Sequence, residues 1–305
     1  MWKYQKMISK APRRILYPLL FLTFLSTKAQ DTIVVKPVID STLVALTFED
    51  SLPKKKTIWQ NLKYDGLNIL GGIKYSYLRP LDWQKKDYLT AGGVVLGTAA
   101  VFFIDEEANE FFTKQSSDIP KGIRDFGWYF GSPQNNYGIT GSVYLFGLLT
   151  DNEKVRKTGV LMIASATSAG IIQSISKTVV GRARPSAGKG NHHFQPLANE
   201  SSYRSFPSGH TILSFTTAYA IGKQFKNPWV KSGIYAVGMI APVSRLWEGK
   251  HWLTDVGLSM ALSVAVVDGI DNYLKKEKKY SYADKDKIRW NLNMGMNSIG
   301  IIGSF

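Results

Sequence analysis

Six apolar segments of 12 to 19 residues recur along the middle and C-terminal part of the chain. They are residues 88–104, 137–150, 158–176, 211–222, 232–243 and 256–270. Segments of this length are typical of helices, since strands are usually shorter. Their many Ala, Gly, Ser and Thr residues let helices approach closely. The pattern therefore predicts an all-α fold, a bundle of about six helices. Only two segments approach the ~20 residues that a bilayer requires, which leaves open whether lipid or protein buries them.

The C-terminal tail follows a different pattern. Trp290, Leu292, Met294 and Met296 alternate with polar or small residues, a period of two that is typical of a β-strand. The charged run 275–279 precedes them. We expect a basic linker and a short irregular or single-strand tail over residues 274–305.

The first 29 residues carry six basic side chains and no Asp or Glu, and residues 15–25 are apolar. A basic start, a short apolar stretch and a small residue at Ala29 are typical of a secretory signal peptide. The alternative is an uncleaved anchor, although the apolar stretch is short for a span. We expect export to the periplasm or the cell-envelope membrane. Residues 30–84 are interpreted as a leader and an amphipathic arm, and residues 85–273 as the helical domain.

The charge balance narrows the possible partners. The chain has 38 Lys and Arg residues against 23 Asp and Glu residues, and six of its fifteen net positive charges lie in the predicted signal. A basic exported protein is better suited to anionic lipid head groups or phosphorylated substrates than to nucleic acid, for which no motif is present. The chain has no cysteine, which excludes thiol chemistry and zinc–thiolate sites.

The first of three chemically informative motifs joins Lys177 to Arg184 and Pro185. Pro185 disfavours a helical conformation at Arg184. We therefore expect Lys177 near a helix end and Arg184 on the following loop. An arginine fork and a lysine point charge suit phosphate oxygens, but two such residues alone are typical of any basic surface.

The second motif is Pro207-Ser208-Gly209-His210, directly before the apolar segment 211–222. Ser208 is a good helix N-cap, and the free amides of a first helical turn favour an anion. Gly209 allows the backbone to approach it, and His210 could give or take a proton there. A capped helix with a first-turn histidine is the simpler interpretation of this motif by itself.

The third motif contains Ser244-Arg245, His251 and Asp255. His251 and Asp255 are four residues apart, so one helix face can hold both. A carboxylate on one ring nitrogen fixes the tautomer and leaves the other nitrogen as a nucleophile. A simple capping pair is the structural alternative.

Together, the eleven motif positions resemble the type 2 phosphatidic acid phosphatase superfamily, which also includes bacterial acid phosphatases and vanadium haloperoxidases. Every motif position between Lys177 and Asp255 is filled. The resemblance extends over about residues 85–273 and leaves out the leader and the tail.

The resemblance implies a role for each motif residue. His251 would attack phosphorus, Asp255 would orient it, and His210 would protonate the leaving oxygen and then act as the base for water. The expected phosphate ligands are Lys177, Arg184, Ser208, Gly209 and Arg245. No metal and no other cofactor is expected, because fixed cations supply the positive charge.

The expected function is a metal-independent phosphatase that hydrolyses a phosphate or diphosphate ester, preferably of a lipid, through a phosphohistidine. Membrane association is expected with it. A soluble periplasmic acid phosphatase acting on small phosphomonoesters is the alternative, favoured by the mean hydropathy of −0.11. A vanadium-dependent haloperoxidase and a non-catalytic membrane protein are weaker alternatives. His192 and His193 match no motif position, and we interpret them as part of an exposed loop or of the substrate entrance.

Overall fold

The computed structural model describes residues 56–276, 279–280, 289–295 and 298–304. Within these residues the chain forms nine α-helices, where the sequence predicted about six, and the all-α class is confirmed. They are α1 (Ile58–Leu78), α2 (Lys85–Phe102), α3 (Asp105–Lys114), α4 (Lys121–Gly131), α5 (Pro133–Leu149), α6 (Glu153–Val180), α7 (Gly209–Gly222), α8 (Pro228–Trp247) and α9 (Leu253–Lys276). Short 3₁₀ turns occupy Arg79–Asp82, Pro185–Ala187 and Ser201–Tyr203.

The glycines and Pro133 in residues 116–136 predict a turn-rich connection, but helix α4 lies inside this segment. That interpretation was wrong because glycine was taken as a sign of turns. Gly127 and Gly131 are instead the buried residues of α4, four positions apart on one helix face. They let this short helix lie close against its neighbours.

Helix α6 is the centre of the bundle and packs against α1, α5, α7 and α9. The Asn152 side chain accepts from the Val155 amide at 3.1 Å and caps its start. Leu161 and Met162 are fully buried, together with Ile212 of α7 and Ile270 of α9. This apolar cluster fixes the position of α6 and of the residues that follow it.

Close contact between α5 and α6 depends on two glycines. A Cβ atom at Gly159 would lie 2.5 Å from the Tyr144 Cα, and one at Gly147 would lie 2.3 Å from the Arg156 amide nitrogen. Any larger residue would push the helices apart. The abundance of small residues in these segments thus serves close helix packing, as the sequence predicted.

Buried charges gather where α6 begins and α9 ends. Arg156 lies 2.8 Å from Asp65 of α1, and Lys157 lies 3.5 Å from Asp271 of α9. The hydroxyl of Tyr280 donates to Asp65 at 2.7 Å. Buried charges need such partners, so these pairs tie α1, α6, α9 and the chain after α9 together.

Helices α6 and α9 are long and apolar enough to cross a membrane, judged by length and composition within the described residues. Helices α2 and α3 would make a third span if counted as one, with a bend of 65° between them.

The tail contains two strands, β1 (Arg289–Gly295) and β2 (Ser298–Ser304). They pair antiparallel, with Arg289 opposite Ser304 and Gly295 opposite Ser298. The single strand expected from the sequence is therefore one half of a hairpin. The predicted signal peptide and residues 30–55 lie outside the described residues, and the domain boundaries stay predictions.

Candidate active site

One end of the bundle brings the three motifs together around a cavity of about 410 Å³. The end of α6, the start of α7, the end of α8 and the segment before α9 meet there. Six of the predicted site residues line this cavity: Lys177, Arg184, Gly209, His210, Arg245 and His251. Ser208 and Asp255 lie behind it, fully buried.

Lys177 stands on the last turn of α6, and Arg184 lies beyond the helix end. Gly181 ends the helix in the left-handed conformation, with φ of 58°. A Cβ atom there would lie 1.8 Å from the Gln195 carbonyl oxygen, so only glycine fits. This sharp end turns the chain and points both cations at one cavity.

Arg184 contributes its guanidinium to the lining of the cavity. Its Nε is buried and has no partner among the described residues. Burial lowers the pKa of Arg184, and the Asp255 carboxylate opposes that shift. A buried donor without an acceptor is suited to an incoming oxyanion.

Ser208 caps α7 as the sequence predicted. Its Oγ accepts from the Thr211 hydroxyl at 2.9 Å and from the Thr211 amide at 3.5 Å. Its own amide donates to Ser259 Oγ at 2.8 Å. The cap fixes the start of α7, so that Gly209 and the free amides of the first turn adjoin the cavity.

His210 lies in the first turn of α7, beneath α4. A Cβ atom at Gly131 would lie 2.8 Å from the His210 Cβ, and the Trp128 ring centroid is 6.3 Å from the imidazole. His210 Nε2 is buried without a partner among the described residues. Burial, followed by the charge of Arg245 and by His251, lowers the pKa of His210 to about 3.

His251 is buried in the short segment before α9. Its Nδ1 is 3.8 Å from Asp255 Oδ2, close enough for charge interaction but longer than a hydrogen bond. Burial lowers the pKa of His251 to about 4, and Asp255 partly offsets this effect. With Nδ1 facing the carboxylate, Nε2 is the nitrogen left for chemistry.

Arg245, at the end of α8, is held by two neighbours. Its Nε donates to Ser244 Oγ at 3.2 Å, and one terminal nitrogen donates to Glu248 at 2.8 Å. Burial lowers the pKa of Arg245, and the Glu248 carboxylate opposes the shift. The remaining donors of the fork are available to a ligand in the cavity.

Sequence reasoning missed Arg182 and Asp105, which form a buried network behind the site. Arg182 bridges the two carboxylates, at 2.7 Å from Asp105 and 2.8 Å from Asp255. It also donates to the Thr254 hydroxyl at 2.6 Å. The backbone amide of Thr254 donates to Asp105 at 2.9 Å. The network joins the start of α3, the end of α6 and the start of α9.

Asp255 is thereby fixed on both oxygens. Arg182 occupies Oδ1, while Oδ2 accepts from the Ser205 hydroxyl and from the Trp252 amide at 2.9 Å. A fixed carboxylate faces His251 with little freedom to move. Ser205 was also missed, because a serine on a loop carries no signal in the sequence.

The other residues that line the cavity were not predicted as site residues: Trp128, Gly131, Pro133, Gln173, Leu213, Glu248 and Lys250. His192 and His193 do not line the cavity. Both are exposed, and His193 Nε2 lies 3.3 Å from the Tyr203 hydroxyl. The structure is therefore consistent with their interpretation as exposed loop residues.

The model of the PAP2 superfamily matches residues 158–277, which include all three motifs. These residues are thus similar to that superfamily over the segment that carries the site. The predicted superfamily and the predicted enzyme class, a hydrolase of phosphoric ester bonds, are thus confirmed.

Two curated relatives carry related names. A lipid A 1-phosphatase of Rhizobium etli is 25% identical over 201 residues, which cover 60% of this chain and 81% of the relative. Phosphatidylglycerophosphatase B of Bacillus subtilis is 31% identical over 137 residues, covering 40% and 63%. Among solved structures, that of Aquifex aeolicus LpxE matches with a TM-score of 0.40 and 19% identity, covering 53% of this chain and 93% of that one.

Proposed function

We propose that this protein is a PAP2-type phosphatase that hydrolyses the phosphate or diphosphate ester of a lipid through a phosphohistidine on His251. The observation that supports this most strongly is the meeting of the two histidines with Lys177, Arg184 and Arg245 in one cavity. The same cavity adjoins the start of α7, whose amides add positive potential.

In the first step, His251 Nε2 forms a bond to phosphorus while the bond to the leaving oxygen breaks. His210 donates its proton to that oxygen, so the alcohol departs neutral. Asp255 stabilises the positive charge that appears on the His251 ring, because it lies 3.8 Å from Nδ1.

In the second step, His210, now neutral, accepts a proton from water. The water oxygen attacks phosphorus, the bond to Nε2 breaks, and inorganic phosphate leaves. Lys177, Arg184 and Arg245 hold the non-bridging oxygens throughout. Phosphoryl transfer depends mainly on such positioning and charge stabilisation. The three side chains supply that charge without a metal ion.

A lipid substrate is supported by the outer surface of the bundle. Helix α2 has no buried residue, although it is rich in apolar side chains. Leu96 is 73% exposed and Val95 is 64% exposed. Several exposed large apolar side chains on one helix favour contact with a membrane or a protein partner. The names of the two relatives, each a lipid phosphatase, point the same way.

The length of α6 also supports a place in the membrane. Its residues 158–176 contain no Asp, Glu, Lys or Arg and lie between the buried Lys157 and the cavity-lining Lys177. At 1.5 Å per residue they span about 28 Å, close to the ~30 Å of a bilayer core. The site would then lie at one membrane face, and we infer from the predicted export that this face is outside the cytoplasm.

The test is phosphate release from phosphatidic acid, a polyprenyl diphosphate and p-nitrophenyl phosphate by purified protein, with and without detergent. We expect the lipid substrates to be preferred and EDTA to leave the rate unchanged. His251→Ala should lower the rate by roughly 10³-fold or more, since it removes the nucleophile. A wild-type rate in that variant would refute the assignment. Preference for p-nitrophenyl phosphate and release by osmotic shock would favour the soluble acid phosphatase.

A further inference from the structure

A second cavity, of about 350 Å³, lies beside the phosphate site. Its walls come from α5, α6 and α7 and contain no Asp, Glu, Lys, Arg or His. The lining includes Tyr137, Thr167, Gly170, Ile171, Ile175 and Ile212. We call this cavity the apolar groove. No step of the proposed reaction uses it.

The apolar groove is continuous with the phosphate site. Both cavities share Pro133, Gln173, Gly209 and Leu213 as lining residues. Gln173 lies at the junction, where a Cβ atom on Gly209 would be 3.2 Å from its amide nitrogen. Its amide can bond to an ester or glycosidic oxygen next to the phosphorus.

Helix α6 provides a direct line between the two cavities. Thr167, Gly170, Ile171 and Ser174 recur at helical spacing on one face, and Lys177 follows on the same face. From Gly170 to Lys177 the helix rises about 10 Å. A molecule with its phosphate on Lys177 could therefore extend along α6 into the groove.

The groove also opens onto the apolar surface of the bundle. Ile171 is 44% exposed and Ile175 is 60% exposed, and Tyr137 stands on the opposite wall. Both isoleucines lie in the half of α6 that approaches the phosphate site. A lipid could thus keep part of its chain in the bilayer while its first methylenes are in the groove.

We propose that the apolar groove binds the alkyl chain segment nearest to the phosphate of the substrate, and so selects substrates by chain. This inference rests on the proposed function, because it assumes that the phosphate of the same molecule occupies the catalytic cavity. The continuity of the cavities favours the substrate's own chain over a bulk lipid or a second copy of the protein.

The test places a larger side chain at Gly170 so that it fills part of the groove. A Cβ atom there meets nothing within 4 Å, so Gly170→Leu can extend into the groove without a clash. Gly233→Leu is the matched control, since Gly233 on α8 also has open space and lines neither cavity. Ile175→Gln, at the exposed rim, is a second variant that disturbs no buried packing.

The measurement is the affinity for non-hydrolysable alkylphosphonates, from methylphosphonate to dodecylphosphonate, together with turnover of p-nitrophenyl phosphate. Each buried methylene should raise wild-type affinity about fourfold until the groove is full. In Gly170→Leu the affinity should rise much less with chain length. Dodecylphosphonate binding should weaken roughly 100-fold if three to four methylenes are displaced from the groove. Methylphosphonate binding and p-nitrophenyl phosphate turnover should stay at the wild-type level, as in Gly233→Leu.

Equal chain-length series in Gly170→Leu, Gly233→Leu and the wild type would overturn the proposal. The proposal would also be overturned if Gly170→Leu changed vesicle binding or self-association but left the affinities for the alkylphosphonates unchanged. The groove would then bind bulk lipid or a second copy of the protein. If Gly170→Leu fails to fold, Ile175→Gln must flatten the long-chain part of the series. Failure of the proposed function can be distinguished from failure of this inference. If the proposed function is wrong, the wild type releases no phosphate, whereas alkylphosphonate affinity still shows whether the groove binds an alkyl chain.

Discussion

The surroundings of His210 and His251 favour the neutral form of both rings near neutral pH, for a physical reason that also predicts how they respond to substrate. Burial and the surrounding cations lower the pKa of His210 to about 3 and that of His251 to about 4. In the proposed reaction, a neutral His251 can attack phosphorus. His210 must be protonated to act as the proposed acid, so we expect the proton to arrive with the ligand.

Phosphate binding should therefore raise the pKa of His210, because a dianion opposes the cations that lower it. A phosphate monoester has its second pKa near ~6 and can carry the proton in. The measurement is an NMR titration of the imidazole, assigned with His210→Asn, with and without phosphate. A pKa that is already above 6 in the free protein, or that phosphate leaves unchanged, would contradict this account.

The same shifts affect folding stability. The unfolded histidines have pKa values near ~6.5, so between about pH 4 and 6.5 the unfolded chain binds more protons than the folded one. These two groups therefore lower the free energy of unfolding as the pH falls through that window. Bound phosphate should oppose the loss.

At the scale of elements, α4 positions His210 through contact between backbone and ring. Gly131 lies directly against His210, and Gly127 lies against Ser244 of α8, where a Cβ atom would be 2.5 Å from Oγ. The short helix thus packs on α7 and α8, two of the elements that carry motif residues. Its two buried glycines are the reason that it can do so.

Gly131→Ala should therefore impair activity more than stability. The new Cβ would lie 2.8–3.0 Å from His210 atoms, so the histidine must shift. Displacement of a catalytic group by up to 1 Å can cost about 10²-fold, so we expect kcat to fall roughly tenfold or more. Gly122→Ala on the same helix meets nothing within 4 Å and is the control for both kcat and the thermal midpoint. Equal kcat in the two variants would show that α4 does not position His210.

The sequence predicted the site residues that form local motifs and missed those whose partners are far away along the chain. Lys177, His210 and His251 could be found because their chemistry is carried by local spacing. Arg182 could not, because its partner Asp105 is 77 positions away and nothing near either residue signals the pair. Once the fold shows that Arg182 is buried, its pairing with a carboxylate is expected, because a buried arginine requires a charged partner.

At the scale of the whole molecule, charges are separated along the length of the bundle. The candidate site with its cations occupies one end, and the buried pairs of Arg156 and Lys157 with their carboxylates occupy the other. Apolar and small residues fill the length of α6 between them. This distribution fits a protein that places a charged site at a membrane face. The sequence predicted the apolar helices, but it did not predict that two groups of charged residues lie at opposite ends of α6.

The central claim is the covalent intermediate, and the most direct measurement is to trap it. His210→Ala lacks the base for the second step, yet p-nitrophenol leaves readily without an acid, so this variant should accumulate the phosphoenzyme. We predict that alkaline quenching followed by mass spectrometry finds one phosphoryl group on His251, absent in His251→Ala. A burst of p-nitrophenol with no adduct, or with the phosphoryl group on another residue, would contradict the account.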